Sequence, residues 1–171
     1  GELWKSFTKA NVDEHWSYNN EHPVLMKTAF ALSNQLFHHW LGWTEASTAL
    51  RLPGAATAAA TVACVYLFGR QLFGRIAGLV AAGALLLQPR FFFHAHLACF
   101  DVPITFFWVA VVYAYWRSYD SRWWALLTGV AFGFGLLTKL NAFFLPVVLG
   151  GHWLLVHWTE FRIRRTDRGT V

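Results

Sequence analysis

The sequence predicts an all-α fold: a polytopic integral membrane bundle with one amphipathic helix lying at the interface. Three observations carry that prediction. Apolar residues make up 56% of the chain and charged residues 13%, about half the charge of an ordinary soluble domain. Ten Trp and sixteen Phe are present, more aromatic surface than a domain of this size can bury. The apolar residues fall in runs of roughly 13 to 18, separated by short turns rich in Arg, Gly and Pro, near the length needed to cross a bilayer.

Residues 1–50 are expected to form an outer loop with the interfacial helix. The first 22 residues are polar and aromatic, with a short helix at most. Pro23 then opens PVLMKTAFALSNQLFHHWLGW. Lys27, Ser33, Asn34, Gln35, His38 and His39 interrupt its apolar positions. That pattern suits a helix in the membrane plane, with Trp40 and Trp43 at headgroup level and Gly42 as its end. His38 and His39 are adjacent and point apart on a helix, which weakens them as a ligand pair.

Residues 51–161 are expected to form the bundle, with five spans. Leu52–Gly69 is rich in Ala, with Thr57 and Thr61, the small residues that let membrane helices approach closely. Ile76–Gln88 returns, and Pro89 and Arg90 stop it. Phe91–Phe100 is read as a second polar and aromatic loop. Asp101 as a cap with Pro103 in the first turn opens Val102–Trp116. Trp123–Leu137 follows, with Gly129, Gly133 and Gly135 on a packing face. Ala142–Trp158 is the last span, and residues 162–171 form a basic cytoplasmic tail. Cys64 and Cys99 sit in apolar surroundings and read as buried free thiols. The opening Gly1, with no apolar signal segment behind it, leads us to expect further sequence before the chain.

Charge sets the expected orientation. Residues 70–75, 117–122 and 162–168 carry eight arginines, against Asp120, Asp167 and Glu160 on that side. The opposite side carries six basic residues against six acids. The arginine-rich side is therefore expected in the cytoplasm. Every candidate chemical group then faces outward from an inner membrane. The basic residues are dispersed singly, which argues against a nucleic-acid partner despite the net charge of +5.

An outward-facing transferase has no cytosolic nucleotide sugar at hand, so its donor would be carried by lipid. Such a transfer needs a base for the acceptor's proton and a cation for the departing phosphate. Asp13 or Glu14 fits the first role. Lys27, His22, Arg90 or Lys139 fits the second. His94 and His96 are weak metal candidates, because i and i+2 share a face only in extended chain. The sequence establishes no cofactor, and a divalent metal stays open.

The order of short motifs resembles a family. Asp13-Glu14 comes first, then Glu21-His22-Pro23-Val24-Leu25, and Arg51-Leu52-Pro53-Gly54 at the start of a span. Tyr66, Gly69-Arg70 and Phe73-Gly74 mark a turn. Asp101-Val102-Pro103 and Gly135-Leu136-Leu137-Thr138-Lys139 follow. Together they resemble the membrane half of GT-C glycosyltransferases, in particular protein O-mannosyltransferases and lipid A aminoarabinose transferases. The resemblance runs from about residue 11 to 158. It implies a polyprenyl-phosphate sugar donor and an inverting transfer to an acceptor on the outer face. It places the catalytic carboxylate at Asp13, paired with Glu14, and matches Glu21, His22, Asp101 and Lys139 to family positions, which with Lys27 form the expected donor and phosphate contacts. His22 stands where aminoarabinose-type relatives have lysine, so charge there would depend on pH. The alternative is a non-catalytic membrane subunit packed in a larger complex.

Overall fold

A computed structural model describes residues 22–167, with side chains to Trp158. Among the described residues there are seven α-helices and no strand. They are α1 (Val24–Ser33), α2 (Ala46–Phe73), α3 (Arg75–Leu86), α4 (Pro89–Ala95), α5 (Asp101–Arg117), α6 (Arg122–Thr138) and α7 (Leu145–Asp167). The all-helical membrane bundle read from composition is what the chain forms.

Helix α1 buries Met26, Phe30 and Ser33, spaced four and three apart on one face. It runs directly into a π-helical segment, Asn34–Trp40, and Gly42 in the left-handed region at φ 62° terminates the chain direction. Trp40 and Trp43 are each 71% exposed.

Helix α2 is ten residues longer than the expected span and carries Pro53 inside it. A proline there removes the donor for the Ala49 carbonyl. The Ser33 hydroxyl of α1 donates to that carbonyl instead, at 2.6 Å. The polar interruption in α1 and the proline in α2 therefore answer each other. Thr57 donates to Pro53 and Gly54 carbonyls and Thr61 to Thr57, so these two hydroxyls are satisfied within their own helix.

Helices α2 and α3 form a tight hairpin through Gly74 at φ 91°. A side chain on Gly78 would lie 2.7 Å from the Tyr66 carbonyl oxygen and 2.8 Å from the Arg70 nitrogen. Gly78 is thus required for the close approach. Gly129 and Gly133, by contrast, face open space, and only Gly135 packs, against Phe107 and Ala142. The expected glycine packing face on α6 reduces to that one residue.

Pro89 breaks α3 as expected, with Gln88 pushed to extended geometry at ψ 118°. The expected loop after it is in fact α4. A proline that cannot continue one helix is preorganised for the first turn of the next. The two helices meet at 68°. Cys64 and Cys99 are free but only half-buried.

Ala46–Phe73 and Leu140–Trp158 are each long and apolar enough to cross a membrane, and the bent α3–α4 pair makes a third crossing if taken as one span. Helices α5 and α6, with 17 residues each, reach about 26 Å, just short of a ~30 Å hydrocarbon layer. Large apolar side chains point outward throughout, among them Ile76, Leu87 and Leu155 at 80%, 80% and 82% exposure. Lipid is the solvent such a surface fits. The buried core forms two clusters, in which alanines interleave with larger apolar side chains. One joins Ala58, Phe91, Ala95 and Val102; the other joins Ile104, Val111, Ala142 and Leu145. The first cluster fixes α4 against α2 and α5.

Candidate donor site

At one end of the bundle the start of α5, the break after α6 and helix α4 converge. Asp101 is the first residue of α5, and the capping position belongs to Phe100 with no side-chain cap bond. The capping role that the sequence offered Asp101 is therefore not the one it fills. Its carboxylate accepts from Lys139 Nζ at 2.8 Å. Lys139 sits in extended backbone between α6 and a 3₁₀ turn, Leu140–Phe144, which aims its side chain back at α5.

His94 Nε2 approaches the other carboxylate oxygen at 3.9 Å. Its Nδ1 lies 2.7 Å from the Arg90 carbonyl. A carbonyl only accepts, so Nδ1 carries the proton, and Nε2 donates toward Asp101 only when the ring holds a second one. The Lys139 hydrogen bond holds the Asp101 carboxyl below the ordinary carboxylate range. Partial burial opposes this, and the charges of Lys139, His94 and Arg90 reinforce it.

These groups open into a pocket of about 360 Å³ lined by Gln88, Arg90, Phe91, His94, Asp101 and Asn141, among others. Behind Phe91 lies a second, larger groove of about 650 Å³. Its walls are Ala55, Ala58, Ala59 and Val62 of α2, with Leu86, Phe92, Ala95 and His96. Phe91 lines both spaces. A polar mouth and an apolar channel thus share one aromatic wall.

The remaining expected site residues divide into three groups. Asp13, Glu14 and Glu21 lie outside the described residues. His22 stacks on Phe100, with ring centres 4.6 Å apart, which brings it beside the start of α5 but commits its ring to an aromatic neighbour. Lys27 is on α1, half-buried. His94 and His96 diverge: His94 faces the polar pocket, while His96 donates to the Phe92 carbonyl at 2.7 Å and lines the apolar groove. Among the described residues, no three His, Cys, Asp or Glu side chains gather as a metal set.

A family model described as dolichyl-phosphate-mannose-protein mannosyltransferase matches residues 21–166. The chain belongs to that family. No curated protein and no solved structure matches it. The mannosyltransferase family is of the GT-C type, so the chain is mannosyltransferase-like and its setting is a membrane. The match includes His22, Lys27, Arg90, Asp101 and Lys139 and begins after Asp13 and Glu14. Gln88 and Asn141 were visible in the sequence only as polar residues beside helix breaks. That position, just beyond an apolar run and next to a proline or lysine, is the signal that marks them as mouth residues.

Proposed function

We propose that the chain is the membrane part of a glycosyltransferase that moves a sugar from a polyprenyl-phosphate donor to an acceptor on the outer face of an inner membrane. The adjoining polar pocket and apolar groove support this reading best. A lipid-phosphate sugar has one anionic, hydroxyl-rich end and a long apolar tail, and the two spaces match those halves in order.

In this reading Asp13 takes the proton from the acceptor as its oxygen attacks the anomeric carbon. The bond from that carbon to the phosphate oxygen breaks, and polyprenyl phosphate leaves with the electron pair. The configuration inverts. Glu14 assists the base, and Glu21, His22 and Lys27 border the donor. Asp101 and Lys139 form a rigid, charge-balanced strut at the donor mouth. The orientation rests on the arginine excess at the far ends of the helices.

The test is transfer from a polyprenyl-phosphate sugar by the full protein in membranes. Asp13→Asn should abolish transfer while leaving expression and membrane insertion intact. Retained turnover in that variant would defeat the assignment.

A further inference from the structure

We infer that Arg90, with His94 one turn later on α4, grips the anionic end of the donor, and that Lys139 does not. The inference rests on the donor reading above and assigns its phosphate contact.

Two cationic or cationisable side chains, Arg90 and His94, line the pocket, and a third, Lys139, reaches its Asp101. Lys139 is already held by Asp101 at 2.8 Å, so the two charges cancel locally. Arg90 lines the pocket, and among the described residues its side chain makes no hydrogen bond or ion pair. It is exposed, close enough to help lower the Asp101 carboxyl, and not engaged by it. His94 presents Nε2 to the same space, since its Nδ1 is committed to the helix backbone. Gln88 and Asn141 add neutral donors around the rim.

The pocket's uncompensated charge is therefore the Arg90 guanidinium. A guanidinium offers a fork of donors that matches two phosphate oxygens at once, which a lysine cannot do. Placement supports the same ligand. Arg90 lines the mouth, Phe91 is the shared wall, and Phe92, Ala95 and His96 line the groove behind. A phosphate on Arg90 sits at the head of that groove, where an isoprenoid chain esterified to it continues inward.

The experiment measures binding of a polyprenyl monophosphate, and separately of inorganic phosphate, to the full chain in nanodiscs. Arg90→Gln should weaken polyprenyl phosphate binding on the order of ten- to a hundredfold, the loss of a charge-assisted contact. Arg90→Lys should recover part of it. Asp101→Asn should tighten binding, because it frees Lys139 and removes the nearby negative charge. Inorganic phosphate should bind far more weakly, because the groove contributes through the chain. Wild-type affinity in Arg90→Gln, with loss in Lys139→Gln, would overturn the Arg90 assignment and leave the donor reading standing. Equal affinity for inorganic phosphate would overturn the lipid source. No binding of polyprenyl phosphate to the wild-type chain would overturn the donor reading itself.

Discussion

Gly54→Ala tests how the bundle positions the donor mouth. Gly54 is buried in α2. A methyl group there would lie 2.9 Å from the Leu97 carbonyl oxygen and 3.9 Å from that of Ala95. Leu97 belongs to the turn between α4 and α5, three residues after His94 and four before Asp101. To reach ordinary contact at 3.4 Å, that backbone must retreat by about half an ångström. It cannot do so freely, because Ala95 and Phe91 are locked in the cluster with Ala58 and Val102. Overpacking of this kind costs about 1–3 kcal/mol. The gain in helix propensity from glycine to alanine returns about 0.5–1 kcal/mol. The net expectation is a loss of up to about 2.5 kcal/mol, and a deficit of about 1–3 kcal/mol against a glycine-to-alanine change that meets no clash. Gly129→Ala is the internal control. Nothing lies within 4 Å of its added carbon, so it keeps only the favourable part. Unfolding of the two variants in mixed micelles with rising SDS gives the difference directly. Polyprenyl-phosphate binding to Gly54→Ala should also fall, since Arg90 and His94 lie on α4, which leads straight into the displaced turn. A Gly54→Ala protein as stable as Gly129→Ala, with wild-type binding, would refute the reasoning.

Two further outcomes are expected. Ser33→Ala should cost about 1–3 kcal/mol by orphaning the Ala49 carbonyl; in a Pro53→Ala background the helix supplies its own donor, so a double-mutant cycle should show coupling of about 1 kcal/mol, and simple additivity would contradict the α1–α2 link. The Asp101 carboxyl is depressed in the folded state, so the strut stabilises above the ordinary carboxylate value of about 3.9 and loses its contribution as pH falls through the lowered one. Because Asp101 is half-exposed, the effect is only about 0.2–1 kcal/mol, and an Asp101→Asn protein whose acid unfolding matches the wild type would show that the pair adds nothing.

Much of the fold was legible because lipid imposes a simple code. Apolar runs marked the helices, and Pro23, Pro89 and Pro103 marked where they begin or break. What was not legible depended on contacts between distant residues. Pro89 reads as a stop, and only packing against Ala58 and Val102 shows that Phe91 to Ala95 start a new helix. Gly129 and Gly133 have the spacing of a packing face, yet no helix among the described residues lies against them, whereas Gly78 has a weaker pattern and a closer contact. Asp101 carries an ordinary helix-opening signal that masks its pairing with Lys139, 38 residues away. The divergence of His94 and His96 follows from the turn of α4, which carries His94 in its last turn and ends at His96.

Photocrosslinking places the lipid most directly. A polyprenyl-phosphate sugar bearing a photoreactive group midway along its tail would be irradiated with the full protein in nanodiscs, and the adducts mapped. The account predicts labelling concentrated on Ala55, Ala59, Val62 and Phe92, competed by unlabelled polyprenyl phosphate. Adducts spread over α6 and α7 with that groove unlabelled would contradict it.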